Sequence, residues 1–138
     1  MVDPVSLIIL EELEDWKRRA RKKRTITYEK VLEVSGSYSP EIFPISGEGV
    51  LKRMIVSSSK PFGLVLDVDG ETVIGDFNKL VDLKDEYSNI TAYIKNNMYY
   101  LIVEDTEFYR GINATLDFGQ KSRVRMDIVV IVYGGGNT

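Results

Sequence analysis

The chain has 138 residues, of which 43% are hydrophobic and 28% are charged, a balance typical of one globular domain with a single core. It contains no cysteine and no histidine. This excludes disulfides and thiolate metal sites, and it removes both the commonest general base and the commonest metal ligand. An enzyme would have to work with carboxylates, lysine, tyrosine or serine alone. We therefore expect a protein that is not an enzyme, with no catalytic, cofactor-binding or metal-binding residues and no cofactor.

The net charge of −3 is unevenly distributed along the chain. Residues 1–24 carry seven basic and five acidic side chains, and residues 25–138 carry the remaining eleven basic and sixteen acidic ones. Because this is not the broad basic face of a dedicated nucleic-acid-binding protein, we expect no nucleic-acid partner. The longest early apolar run, from Val5 to Leu10, is far shorter than the ~20 residues that cross a membrane. We therefore expect no membrane contact.

The first predicted element is an amphipathic helix over residues 1–24. Asp3 can cap its first turn, and Pro4 suits the first helical position, where no backbone N–H is needed. Acidic residues precede basic ones along the segment, an order that suits the helix dipole. The apolar stripe recurs at helical spacing: Val5, Ile9, Leu13, Trp16 and Ala20.

From Thr25 onward the apolar period changes from that of a helix to that of half-buried strands. Asp69-Gly70 and Asn96-Asn97 are the clearest hairpin turns. Residues 36–49 are expected to form a loop, and residues 76–87 either a short helix or a covered loop. The predicted strands span residues 25–34, 50–57, 62–68, 71–74, 90–95, 98–104, 112–118 and 123–133. The last two of these strands are expected to pair as a hairpin.

About eight short strands after one helix predict a mostly β protein, an antiparallel, jelly-roll-like β-sandwich. A parallel βαβ sheet would need more helices than this sequence offers. The expected organisation is an N-terminal amphipathic helix (1–24), a β-sandwich domain (25–133) and a Gly-rich tail (134–138).

The run from Leu64 to Gly70 ends in Asp-Val-Asp-Gly and resembles the first motif of haloacid-dehalogenase-type phosphatases. The resemblance implies that Asp67 is the nucleophile, Asp69 the general acid or base, and magnesium a cofactor. However, Glu71 replaces the threonine of that motif, and the segments that follow are predicted strands and turns, not βα units. We therefore interpret the run as a hairpin with Asp67 facing solvent. A looser oxygen-ligand cation site is an alternative use of the carboxylates that follow: Asp76, Asp82 and Asp85.

Tyrosines are frequent in the predicted strands, and two interpretations of them differ in function. Aromatic residues are favoured as cross-strand neighbours and as core residues. They also form platforms on which sugars and bases stack. A carbohydrate-binding β-sandwich that uses Tyr99, Tyr100 or Tyr109 is therefore the alternative function.

The runs Gly47 to Gly70 and Phe108 to Tyr133 resemble virion β-sandwich proteins of tailed phages and related viruses. The first run contains a Gly-led strand and a strand that ends in Val-Asp-Gly, and the second contains the closing strand of the chain. The resemblance implies a fibre, decoration or head–tail component that is located in the virion. It also implies a symmetric homo-oligomer that contacts other virion proteins and has no small-molecule substrate.

The N-terminal helix is expected to form the assembly contact, because its apolar stripe must be buried by something. Whether it packs on its own domain or on a neighbouring copy is left open by the sequence. The candidate contact residues come from the stripe and from the basic run that follows it: Val5, Ile9, Leu13, Trp16, Arg18 and Arg21.

Overall fold

A computed structural model describes residues 23–83 and 86–134. Across these residues the protein has eight strands and one helix: β1 (Lys23–Tyr38), β2 (Ile45–Ser46), β3 (Gly49–Ser58), β4 (Gly63–Val68), β5 (Glu71–Gly75), α1 (Phe77–Asp82), β6 (Ile90–Lys95), β7 (Met98–Phe108) and β8 (Gly111–Tyr133). The amphipathic helix predicted over residues 1–24 lies outside the described residues, except for its last two positions. The predicted boundary is wrong there, because Lys23 and Arg24 already pair with β8 as the first residues of β1.

The strands form one antiparallel sheet that is built around β8. β3 and β4 pair in succession along one edge of β8, and β1 and β2 pair along the other. β7 and β6 extend the sheet beyond β3, and β5 extends it beyond β4. The prediction of a mostly antiparallel β protein is therefore confirmed for the described residues.

The structure contradicts the predicted hairpin between residues 112–118 and 123–133. Both segments belong to β8, and both pair with β1 along the same edge. The register shifts between Val34 and Gly36 of β1, where Gly36 adopts a φ of 91°. Residues 119–121 therefore form a bend inside one long strand, since an irregularity of this kind bends a strand without reversing it.

Two backbone hydrogen bonds close the curled sheet. The Gly47 N–H donates to the carbonyl of Arg110, just before β8, at 2.9 Å. The N–H of Tyr133, at the end of β8, donates to the Glu48 carbonyl, also at 2.9 Å. Both ends of this 23-residue strand thus reach the short connection between β2 and β3. The sheet must curl to allow this, and one of its faces becomes the inside of the protein.

Apolar side chains from the concave face of the sheet fill the inside. Alternate residues of β8 on both sides of its bend are buried there. Leu51, Met54, Leu101 and Ile128 are completely buried. Each such side chain contributes about 1.5–3 kcal/mol to folding relative to its exposed state. The core therefore depends on the curl that brings the two ends of β8 together.

The short helix α1 connects β5 to β6, which are the outermost strands at the two ends of the sheet path. Asp76 caps the helix N-terminus through its side chain. The Phe77 ring packs edge-on against Phe62, with ring centres 5.5 Å apart, and against Tyr99, at 5.1 Å. Of the two structures predicted for residues 76–87, the protein adopts the short helix.

Both predicted hairpin turns are confirmed. Asp69 and Gly70 adopt φ angles of 54° and 87°, and Asn96 and Asn97 adopt 53° and 63°. Positive φ at both central residues gives the turn twist that matches two flanking antiparallel strands. The loop predicted over residues 36–49 is shorter than expected, because β1 continues into this range and β2 lies within it.

Gly49 lies where β3, β7 and β8 meet. An added Cβ would be 2.6 Å from Cζ of Phe108 and would also collide with the Ile131 carbonyl oxygen. We expect Gly49→Ala to lower the free energy of unfolding by about 1–3 kcal/mol, the usual cost of overpacking. Gly119→Ala is the control, because its added Cβ would have no atom within 4 Å. Urea denaturation tests this, and equal midpoints for the two variants would contradict it.

Candidate functional site

Asp69, at the tip of the β4–β5 hairpin, holds the connection between β7 and β8. Its carboxylate accepts hydrogen bonds from the backbone N–H groups of Tyr109 (2.9 Å), Arg110 (2.6 Å) and Gly111 (3.0 Å). In return, the Arg110 guanidinium donates to the Asp69 carbonyl oxygen at 2.8 Å. The backbone N–H groups of Arg110 and Tyr109 lower the pKa of the Asp69 carboxyl, because hydrogen bonds to the charged form favour that form.

Asp67 is also hydrogen-bonded within the hairpin. Its carboxylate accepts from the Gly70 N–H at 3.0 Å and from the Thr72 hydroxyl at 3.3 Å. A groove of about 400 Å³ lies beside the hairpin, and Arg110 and Asn113 line it together with the two aspartates. These aspartates belong to an antiparallel hairpin, whereas the phosphatase resemblance implies a motif followed by βα units. The interpretation of this run as a hairpin is therefore confirmed.

Two of the three carboxylates considered for a looser cation site lie at the two ends of α1. Asp76 caps α1 and Asp82 is the last residue of that helix. Asp85 lies outside the described residues. Within the described part of the chain, no three potential metal-ligating side chains converge on one point.

The tyrosines considered as a stacking platform do not come together. Tyr99 packs inward, edge-on to Phe77. Tyr100 lies on the opposite side of β7 and stacks on Tyr93, with ring centres 5.0 Å apart and planes inclined by 14°. Tyr109 follows β7 and is 59% exposed. The three rings therefore lie in three separate places, and two of them pack against other aromatic rings.

The outward side of the sheet, called the outer face below, carries an apolar surface. In β8, residues 128–132 are Ile-Val-Val-Ile-Val, so both sides of the strand are apolar. A sheet with one side in water normally alternates apolar and polar residues. Short runs in β3 and β7 share this feature. The outward-pointing members, called the outer patch, are all half-buried: Val50, Ile55, Ile102, Val129 and Ile131.

The strand register places four residues of the outer patch in two pairs, and Val129 lies opposite Arg53 between these pairs. Val50 lies opposite Ile131, and Ile55 lies opposite Ile102. The Arg53 guanidinium and the Asp127 carboxylate, 3.3 Å apart, form an ion pair on the same face. The helix α1 packs against β4, β5 and β6 rather than on this patch. The patch is therefore an apolar surface whose residues stay partly exposed.

A small pocket of about 150 Å³, called the end pocket below, lies at the end of the outer face where β1 begins. The Lys23 ammonium is 5.7 Å from the centre of the Tyr133 ring. The Tyr109 hydroxyl donates to the Glu107 carboxylate at 3.1 Å. With Glu48, the lining combines two carboxylates and two tyrosine rings with an ammonium group. The end pocket therefore brings negative charge and aromatic rings together beside one ammonium group.

β1 presents a long edge, because among the described strands only β8 pairs with it. Lys30 stands in the inward-pointing series of β1 between Tyr28 and Leu32, yet it is exposed. A charge at an inward position of an edge strand is a common protection against pairing with a second sheet. The edge of β1 is therefore a poorer contact surface than the outer face.

The contact residues predicted from the sequence all lie outside the described residues: Val5, Ile9, Leu13, Trp16, Arg18 and Arg21. The outer patch was not among the predicted contacts. The signal that could have identified it is the continuous apolar run at residues 128–132, which is typical of a strand covered on both sides.

Comparisons with protein-family models, with characterised proteins and with solved structures found no match. No helix in the described ranges is long and apolar enough to cross a membrane.

The lowered pKa of Asp69 predicts a specific dependence of stability on pH. Because the native pKa lies below the unfolded value of about 3.9, the carboxylate stabilises the fold above about pH 4, and this stabilisation is lost as the pH falls through the native pKa. We expect Asp69→Asn to lower the melting temperature at neutral pH and to weaken the loss that the wild type shows in acid. Melting curves between about pH 2 and 7 measure this.

Asp117→Asn is the control for this experiment, because Asp117 is an exposed aspartate on β8. It should leave the acid dependence of the wild type unchanged. An Asp69→Asn variant with the full acid dependence of the wild type would contradict the role assigned to this carboxylate.

Proposed function

We propose that this protein is a non-enzymatic structural component of a viral particle, which assembles as a homo-oligomer and contacts other virion proteins. The observation that carries the assembly is the outer patch, where short runs of three neighbouring strands are apolar on both sides. Strands of this kind are typical of sheets that are covered on both faces. In an assembled particle, neighbouring copies cover this patch.

The composition of the outer patch supports this proposal energetically. Each methylene group that is removed from water contributes about 0.8 kcal/mol. All five patch residues are valine or isoleucine, and β-branched side chains are stiff at their first torsion angle. They lose little conformational freedom when another surface covers them. Such residues are well suited to a contact surface.

The strongest catalytic candidates in the sequence also support a structural role. The Asp69 carboxylate accepts three backbone N–H groups, and the Asp67 carboxylate accepts two further hydrogen bonds within the same hairpin. These contacts hold the β4–β5 hairpin to the start of β8. Both carboxylates therefore have a structural use that does not involve a substrate.

The placement in a virion depends on the resemblance of residues 47–70 and 108–133 to virion β-sandwich proteins. In this proposal the N-terminal segment is the amphipathic helix, and the curled sheet serves as a jelly-roll-like sandwich. The partners are copies of this chain and other virion proteins. No small-molecule substrate, cofactor, nucleic acid or membrane takes part.

Substitution of Ile102 by lysine tests whether the outer patch is the contact surface. We expect the wild type to sediment as a discrete oligomer. Ile102→Lys should raise its dissociation constant by at least about tenfold, because the new charge would have to be buried in an apolar contact. Ile74→Lys is the matched control, since Ile74 is an exposed isoleucine on β5 that lies outside the patch.

Sedimentation velocity over a range of concentrations measures both effects. A wild-type protein that remains monomeric at every concentration would overturn the proposed assembly. An oligomer that Ile102→Lys and Ile74→Lys affect equally would exclude the outer patch as its contact surface.

A further inference from the structure

We infer that the outer face binds an acidic sugar, one that carries a carboxylate, at a site that borders the outer patch. The site is a row of side chains that crosses four neighbouring strands, called the binding row below: Arg125, Ser57, Tyr100 and Tyr93. This activity goes beyond the proposed assembly and does not depend on it, because the whole row belongs to one copy.

The strand register brings the binding row together. Ser57 of β3 lies opposite Arg125 of β8 on one side and opposite Tyr100 of β7 on the other. Tyr100 in turn lies opposite Tyr93 of β6. Residues that are directly opposite each other point to the same side of a sheet. The row borders the outer patch, since Ser57 lies two residues beyond Ile55 on the same strand.

Tyr100 supplies an aromatic ring face to the row. One face of its ring stacks on Tyr93, with ring centres 5.0 Å apart and planes inclined by 14°. Tyr93 and Ser57 lie on opposite sides of β7, so the other face of the Tyr100 ring points along the row toward Ser57. Serine has a short side chain and fills little of the space above the sheet. A sugar ring can therefore stack on this second face of Tyr100.

Arg125 supplies an uncommitted positive charge at the other end of the space above Ser57. Its guanidinium forms no ion pair or hydrogen bond with any described residue. Two nearby carboxylates have other cations as partners, because Asp127 pairs with Arg53 and Glu33 pairs with Lys121. A guanidinium binds a carboxylate through two parallel hydrogen bonds. Arg125 is therefore suited to bind the carboxylate of a ligand.

The spacing of the row suits one sugar unit. Arg125 and Tyr100 are separated by two strand spacings, about 9.6 Å between their backbones, and both side chains are long. A sugar stacked on Tyr100 lies above Ser57, whose hydroxyl can both donate and accept a hydrogen bond. A carboxylate on the far side of that sugar is within reach of Arg125. The three groups thus complement the ring, the hydroxyls and the charge of an acidic sugar.

The charges around Arg125 favour a ligand with a single negative charge. Glu29 and Glu33 lie on β1, on either side of the position opposite Arg125. Asp127 lies two residues further along β8, and Arg123 is the neighbouring cation on that strand. Like charges that are brought close together oppose binding. A nucleic acid, with one negative charge on every phosphate, would therefore be repelled more strongly than a sugar with one carboxylate.

Titration of the full-length protein with 3′-sialyllactose and with methyl β-glucuronide, followed by nuclear magnetic resonance, tests the inference. We expect both acidic sugars to bind. The methyl ester of each sugar keeps the ring and removes the charge, so it should bind about tenfold or more weakly. Arg125→Gln and Tyr100→Leu should each weaken the binding of the acidic sugars by a similar factor, because each removes one of the two main contacts.

Matched substitutions outside the binding row control for these changes. Arg24 is an exposed arginine near the start of β1, and Tyr87 is a 41% exposed tyrosine before β6. Arg24→Gln and Tyr87→Leu should leave the affinity for both acidic sugars unchanged. Circular dichroism checks that every variant keeps its fold.

Three results would overturn the inference. The first is that neither acidic sugar binds to the wild type. The second is that the methyl esters bind as tightly as the acids, or that Arg125→Gln and Tyr100→Leu bind like the wild type. The third is tighter binding of a single-stranded oligothymidine through the same residues, which would make the row a nucleic-acid site.

The outcome of this experiment is separate from that of the proposed assembly. A wild-type monomer that binds the acidic sugars through Arg125 and Tyr100 refutes only the assembly. A wild-type oligomer that binds neither sugar refutes only the inference drawn here.

Discussion

β8 takes hydrogen-bonded partners along both of its edges, β1 and β2 on one side and β3 and β4 on the other. Residues 23–46 and residues 49–68 thus run beside the same strand in the same direction. The first stretch ends beside the start of β8, and the second begins beside the end of β8. Residues 47 and 48 join these two points, so the two ends of β8 must come close together. That requirement curls the sheet. The core, the outer face and the end pocket all follow from the curl.

Polar side chains at the β4–β5 hairpin and apolar side chains on the outer face both have unusual roles. At the β4–β5 hairpin, the carboxylates of Asp67 and Asp69 organise the backbone instead of facing a substrate. On the outer face, valine and isoleucine occupy positions that a solvated sheet would give to polar residues. The hairpin holds the start of β8 through the hydrogen bonds of Asp69, and the far half of the same strand presents the apolar surface. One strand thereby links the hydrogen-bonded hairpin to the proposed contact surface.

Local chemistry predicts much of this fold, and long-range pairing decides the rest. The turns at Asp69-Gly70 and Asn96-Asn97 are predictable because these residues tolerate positive φ by themselves. The bend in β8 is not, because residues 119–122 have the composition of a hairpin turn. A reversal is prevented by the strands that pair with β8 on both sides of the bend, β1 along one edge and β3 and β4 along the other. The outer patch is predictable only in part. Its apolar run is visible in the sequence, but the strand register decides which residues face outward.

The pairing of Lys23 with Tyr133 joins the first and the last described strands of the chain. During synthesis β1 emerges early, but its partner is complete only when the final strand has been made. Pairing between such distant segments is slow, because the entropy of closing the loop is lost before contacts compensate for it. Until then the inward residues of β1, β3 and β4 are exposed together. The period of greatest aggregation risk for this protein therefore falls before β8 is available, and any delay in the synthesis of β8 prolongs it.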